Sequence, residues 1–267
     1  MKLKGLFLIL FLFLMPGCVP QADLDQNDPR EGASPQELVI SAAASLQEVL
    51  TAVGKEYRRE EPGEEPVFNF GSSGTLQRQI EQGAPVDVFI SAGVRQMDQL
   101  EEQGLLLPGT REDLLKNQLV LITGRNNEGL AGTADLVKDS VHLIVLGIPE
   151  TVPAGQYTRE ALLKLDLWDT LQPNLVMAKD VKQVLTYVET GNADAGFVYY
   201  SDALGSERVK IVEVLAPELH EAILYPAAVV KETKNKAAAQ AFMEYLKGDT
   251  ARRIFEEYGF MTIQRGN

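Results

Sequence analysis

Short apolar runs of strand length alternate with amphipathic runs of helix length from Leu38 to Tyr258, and this alternation leaves few folds open. Strand–helix–strand units pair their strands in parallel and cover both sheet faces with helices. A first series reads Leu38–Ser41 strand, Leu46–Arg59 helix, Pro66–Phe70 strand, Thr75–Gln82 helix, Asp87–Ser91 strand and Val94–Gln103 helix, stopped by Gly104. The strongly apolar strand Gln118–Thr123 leads into a second series: His142–Gly147 strand, Ala154–Leu165 helix, Leu175–Ala178 strand, Val181–Thr190 helix and Ala195–Tyr199 strand. Val209–Leu215 and Ala222–Val230 return as strands, and helices Lys236–Lys247 and Thr250–Tyr258 close the chain. Gly248 ends the first of these helices and Asp249 is placed to cap the second.

Two series predict two α/β lobes with mostly parallel sheets flanked by helices. The closing helices carry apolar stripes (Ala238, Phe242, Tyr245, Leu246; Ile254, Phe255) that need a core. Packing them on the first lobe makes that lobe discontinuous, 37–119 with 226–267, around a second lobe at 120–225. The chain then crosses twice between lobes, near Gln118–Thr123 and Leu224–Val230, which makes a hinge. Ligands of open α/β sheets bind beyond the carboxyl ends of strands, so both lobes face one cleft.

The N-terminus is of another kind. Lys2 and Lys4 precede an apolar run, Leu6–Met15, and then Pro16-Gly17-Cys18. This pattern predicts a signal peptide at 1–17, its apolar run too short for a comfortable membrane span. Cys18 is the only cysteine, so no intramolecular disulfide can form. A lone Cys after an exported apolar run resembles the bacterial lipobox, in which the thiol is lipidated. Met15 and Pro16 depart from its usual Leu and Ala or Ser. An ordinary signal peptide with an incidental Cys is the plain alternative. Residues 18–36 are polar, without apolar period, and read as a flexible tether. Losing Lys2 and Lys4 moves the formal net charge from −13 to −15. That surface disfavours nucleic acid and anionic headgroups, and an anion site on it must work through short-range donors.

Several strand-to-helix joints carry small residues at a helix start, where backbone N–H groups lack an intrahelical acceptor and the dipole favours anions. Ser45 follows the first strand, and Glu48 three residues on completes a capping box, so Ser45 has a purely structural reading. In Phe70-Gly-Ser-Ser-Gly-Thr75 two glycines bracket Ser72 and Ser73, and glycine lets backbone approach a ligand, or simply turns the chain. Pro153 starts a helix with Ala154 and Gly155 presenting bare amides. Asp180 caps the next helix with Gln183 at the box position, leaving the Val181 amide as a donor. Tyr199 and Tyr200 end a strand, one facing inward and one outward.

The missing chemistry narrows the choice. His142 and His220 stand outside any Ser/His/Asp context, and no Gly-x-Ser-x-Gly elbow, dinucleotide fingerprint or phosphate loop occurs. One Cys and two scattered His make a bare-metal cluster implausible. Arg78, Arg95 and Arg159 follow helix starts and read as surface charges.

Together these residues resemble the molybdate-binding proteins of bacterial ABC importers. The likeness covers nearly all of 37–261. It rests on Ala42-Ala-Ala-Ser-Leu46, Ser72-Ser73, Gly83-Ala-Pro-Val-Asp-Val-Phe-Ile-Ser-Ala92, Pro149-Glu-Thr-Val-Pro-Ala-Gly155, Asp180-Val181, Val198-Tyr199, and the ending Tyr245-Leu-Lys-Gly with Ile254-Phe-Glu-Glu-Tyr-Gly-Phe260. The resemblance implies an α/β, two-lobed periplasmic-binding-protein-like fold with a tetrahedral oxyanion, molybdate or tungstate, between the lobes. It implies ligand contacts from Ser45 and Ser73 in one lobe and Ala154, Val181 and Tyr199 in the other, with no Arg or Lys touching the ligand. It further implies no enzymatic activity, no cofactor and no bare metal ion, since molybdenum arrives as the oxyanion. The expected partner is the membrane permease of an ABC importer, for a monomer anchored at the extracytoplasmic face. Gly71 and Gly74 flank the serines where the family varies.

The physics is compatible with that implication. An unprotonated oxyanion needs donors, each contributing on the order of 1.5–3 kcal/mol. About seven donors would give submicromolar binding. Selection against sulfate would come from cavity size. The rival readings are a sulfate- or phosphate-type binder, a serine hydrolase using Ser45 or Ser73 with a base in reach, and a scaffold lipoprotein.

Overall fold

A computed structural model describes residues 36–263 apart from Pro62. The expected signal peptide, Cys18 and all but the last residue of the tether lie outside the described residues. Among the described residues no helix is long and apolar enough to cross a membrane.

The chain runs β1 (Gln36–Ala43), α1 (Gln47–Glu60), β2 (Glu64–Gly71), α2 (Ser73–Glu81), β3 (Val88–Ile90), α3 (Val94–Glu102) and β4 (Glu112–Lys116). It continues β5 (Leu119–Gly124), β6 (Ile144–Gly147), α4 (Pro153–Lys164), α5 (Trp168–Leu171), β7 (Leu175–Ala178), α6 (Val181–Glu189), β8 (Ala195–Tyr199), α7 (Tyr200–Leu204) and β9 (Val209–Val214). β10 (Leu224–Val229), α8 (Lys236–Leu246), α9 (Asp249–Glu257) and β11 (Met261–Thr262) complete it.

These strands make two sheets, ordered β11-β4-β10-β3-β1-β2 and β7-β6-β8-β5-β9. β1 pairs in parallel with β2 and β3, and β6 with β7 and β8, as βαβ units require. The sheets are mostly parallel, as expected, with a minority of strands reversed. β4 runs in the direction of β1–β3 and β9 in that of β6–β8, while β10 and β11 in the first sheet and β5 in the second run against them. β5 and β10 are the strands by which the chain crosses between the sheets, and no crossover helix feeds either; β11 follows β10 through α8 and α9 and keeps its direction.

Burial follows the sequence pattern. β3 and β8 are buried at every residue, reading as continuous apolar runs, because helices cover both faces. α1 buries Val49, Leu50, Val53 and Tyr57, one stripe of a 3.6-residue period. α8 returns to this neighbourhood, with the Phe242 and Tyr245 rings meeting Tyr57 edge-on at 5.1 and 4.9 Å. The chain passes from one sheet to the other between β4 and β5 and returns between β9 and β10. β4, α5, α7 and β11 have no counterpart in the elements read from sequence. They are short, and their residues carry too little period to separate them from loops.

Candidate functional site

Beyond the carboxyl ends of β1, β2 and β3 in one lobe, and β6, β7 and β8 in the other, lies a small cavity of about 10 Å³. Room of that order holds about one water molecule, so a larger ion needs the walls to give way. Its walls include Ser45, Ser73 and Ala92 from one lobe, and Ala154, Val181 and Tyr199 from the other. All five expected contact residues are therefore brought together.

Ser45 sits inside a tight 3-10 turn, Ala44–Leu46, that precedes α1. The expected capping box does not form. A cap residue must lie outside the helical run, and here the turn takes Ser45 into it. Neither the turn nor α1 has a side-chain cap, and Glu48 instead reaches Lys182 at 2.6 Å. The Ser45 hydroxyl is left to meet Tyr225 Oη at 3.1 Å.

At the second joint Ser72 is the cap of α2, in extended conformation, its hydroxyl accepting from the Thr75 amide. Ser73 is thereby the first helical residue, and its Oγ accepts from the Ala92 amide at 3.0 Å. An oxygen occupied as acceptor keeps its own proton for another partner, and the cavity is adjacent.

Pro153 opens α4 and places Ala154 in its first turn, fully buried. Gly155 makes this seating possible: a Cβ there would fall 1.9 Å from the Gly147 carbonyl oxygen at the end of β6. Val181 opens α6. Asp180 caps it, accepting from the Gln183 amide at 2.8 Å, while the Gln183 side chain accepts from the Lys179 amide at 2.8 Å. The amides of Ala154 and Val181 have no acceptor within their helices. Tyr199 is buried at the end of β8, and the half-buried Tyr200 begins α7.

Two hydrogen bonds span the lobes beside the cavity. Tyr199 Oη donates to the Ala92 carbonyl at 3.2 Å, and the Gly74 amide to the Thr151 carbonyl at 2.9 Å. An ion-pair bridge lies nearby. Lys182 Nζ on α6 is 2.6 Å from Glu48 on α1 and 3.0 Å from Asp202 on α7. Asp202 is fully buried, and burial pushes its carboxyl up to about 6 against the pull of Lys182. Burial opposes the Lys182 ammonium too, but Asp202 and Glu48 outweigh it and raise its pKa. Burial likewise raises Tyr199 and Tyr225 well above the ordinary phenol range, so both stay protonated.

No Lys, Arg or His lines the cavity among the described residues, and its one ionisable carboxylate, Asp180, is engaged in capping. The wall thus offers hydroxyls and helix-start amides to an anion, with no formal positive charge. Arg78 donates to Thr75, Arg95 is exposed, and Arg159 lies over the Trp168 ring at 5.5 Å. His142 was expected within a strand, yet it precedes β6 and is exposed. His220 is buried against the Glu221 carbonyl. Neither imidazole lines the cavity, so neither serine has a base there. Among the described residues no cluster of His, Cys, Asp and Glu could hold a metal ion.

Sequence reasoning missed Ala92, Tyr225, Asn117 and the Lys182 bridge. Tyr225 contacts Ser45 from 180 residues away, and no local pattern marks such a partner.

Residues 38–261 match the family model described as bacterial extracellular solute-binding protein. The chain is 44% identical over 223 residues to a Bacillus subtilis protein provisionally named an ABC transporter substrate-binding lipoprotein, YvgL, covering 84% of this chain and 85% of that one. It is 41% identical over 229 residues to the molybdate-binding protein ModA of Escherichia coli, covering 84% and 88%. The solved periplasmic molybdate-binding protein of Azotobacter vinelandii superposes with a TM-score of 0.78 at 29% identity, covering 85% of this chain and all of that one.

Proposed function

The chain belongs to the bacterial extracellular solute-binding proteins, and from that premise we propose that it captures molybdate, and tungstate with it, for an ABC importer. It is a binding protein rather than an enzyme, it works outside the cytoplasm, and its fold is that of the periplasmic binding proteins. The observation that carries the proposal is the cavity itself. Ser45, Ser73, Ala154, Val181 and Tyr199 meet around one small cavity and furnish donors without formal charge. Those five residues are the proposed ligand contacts. Tyr199 has one hydroxyl proton, now directed at Ala92, and a bound oxyanion competes with that carbonyl for it.

In this reading the first lobe is 37–119 with 226–267, the second is 120–225, and the crossing segments form the hinge. The protein is a monomer that hands its anion to a membrane permease, tethered through a lipid on Cys18. Cys18→Ser should then move the protein from the membrane fraction to the soluble exported fraction. Unfolding in the presence of anions tests the ligand. Molybdate and tungstate should raise the melting temperature with concentration, because a ligand bound by the native state alone stabilises it. An equal or larger shift with sulfate or phosphate would overturn the specificity. No shift with any oxyanion would favour a scaffold role.

A further inference from the structure

A buried polar relay leads from the crossing between the sheets to Ser45. Asn117 lies between β4 and β5, where the chain leaves the first sheet for the second. Its side-chain oxygen accepts from the Gln118 amide at 2.9 Å, which fixes the orientation of the amide group. Nδ2 therefore faces inward, donating to Ser201 Oγ at 2.9 Å and to Tyr225 Oη at 3.3 Å. Tyr225 stands on β10, the returning strand, and is fully buried.

The direction of each bond follows from what each atom carries. An amide nitrogen has only hydrogens to offer, so toward Asn117 the Tyr225 oxygen can only accept. The phenolic proton then goes to the other partner, Ser45 Oγ at 3.1 Å. Ser45 accepts from behind, and its own proton is left for the cavity it lines. Ser73 has the same polarity, accepting from the Ala92 amide behind it.

We propose that Tyr225 and Asn117 are positioning residues that lock the Ser45 hydroxyl as a donor toward the oxyanion, so that the site rejects oxyanions bringing a proton of their own. The inference rests on the reading of the cavity as an oxyanion site. An unconstrained serine can rotate to accept from a protonated ligand such as hydrogen phosphate. With Tyr225 on one lone pair, Ser45 can accept from the ligand only by turning its own proton off the anion, so a protonated ligand forfeits a donor.

Calorimetry on the full chain at pH 7 tests this with Ser45→Ala, Tyr225→Phe and the double variant. Tyr225→Phe keeps the ring that meets Tyr199 and Phe260 edge-on at 5.7 and 5.5 Å, so packing persists. The unmutated protein should bind molybdate, and Ser45→Ala should weaken it about tenfold or more. Tyr225→Phe should weaken molybdate about fivefold, yet by less than about twofold once Ser45 is already Ala. Phosphate should compete better against molybdate in Tyr225→Phe than in the unmutated protein. Asn117→Ala should show the same coupling to Ser45, and it serves if Tyr225→Phe does not fold. Equal losses in both backgrounds, or unchanged competition by phosphate, would overturn the relay and leave the oxyanion reading standing. Failure of the unmutated protein to bind molybdate would overturn both.

Discussion

Gly74 is where one methyl group should separate binding from stability. Its amide donates to the Thr151 carbonyl of the opposite lobe at 2.9 Å. A Cβ at this position would lie 2.8 Å from both the Thr151 Cα and its carbonyl oxygen, and backbone cannot swing aside as a side chain can. Ordinary carbon contacts sit near 3.5–4.0 Å, so in Gly74→Ala the lobes must part locally by close to ~1 Å. Overpacking costs about 1–3 kcal/mol and the weakened cross-lobe hydrogen bond about 0.5–1.5 kcal/mol. A combined penalty of about 2–3 kcal/mol on the lobe contact weakens the ligand roughly 30- to 150-fold. Gly74 is also the second residue of α2, where alanine is the better helix former by up to ~1 kcal/mol. If the unliganded lobes part at the proposed hinge, they escape the Thr151 clash and keep the helix gain, so the unliganded protein should melt no lower than before. Titration calorimetry with molybdate, beside thermal unfolding without ligand, reads the two effects apart. An affinity within twofold of the unmutated protein would refute the argument that binding needs the lobes to meet at this point.

Ser73→Ala removes a cavity hydroxyl and strands the Ala92 amide, and should cost molybdate binding about 1.5–3 kcal/mol by calorimetry. Asp202 gives a pH dependence of inverted sign. Its carboxyl is held at about 6 in the fold against an ordinary 3.8, so the burial penalty is full above 6 and vanishes below 3.8. As pH falls through that window this group should add stability, on the order of 3 kcal/mol, and urea unfolding of Asp202→Asn should lose that rise. Lys182→Met leaves Asp202 buried without its cation, which should destabilise by about 3–5 kcal/mol at pH 7.5. That deficit should narrow below pH 6, as Asp202 takes up a proton.

Much of this molecule was legible in its sequence where the information is local. Continuous apolar runs marked β3 and β8, the 3.6-residue stripe marked α1, and Asp180 with Gln183 marked the start of α6. The joints at Ser45, Ser73, Ala154 and Val181 stood out because small residues at helix starts are a local pattern. Their convergence on one cavity was implied by the family resemblance, and the geometry supports it. The capping box at Ser45 misled because the spacing to Glu48 is right while the intervening 3-10 turn is invisible in sequence. Tyr225, Asn117 and the Glu48–Lys182–Asp202 bridge stayed hidden for a different reason. Each is made by residues far apart in the chain, chosen by how the sheets face one another.

A crystal structure of the protein grown with molybdate tests the central claim most directly. The account predicts the anion between the lobes, its oxygens about 2.7–3.2 Å from the Ser45 and Ser73 hydroxyls and the Ala154 and Val181 amides, with no Lys or Arg in contact. Molybdate bound elsewhere, or held in that cleft by a cationic side chain, would contradict it.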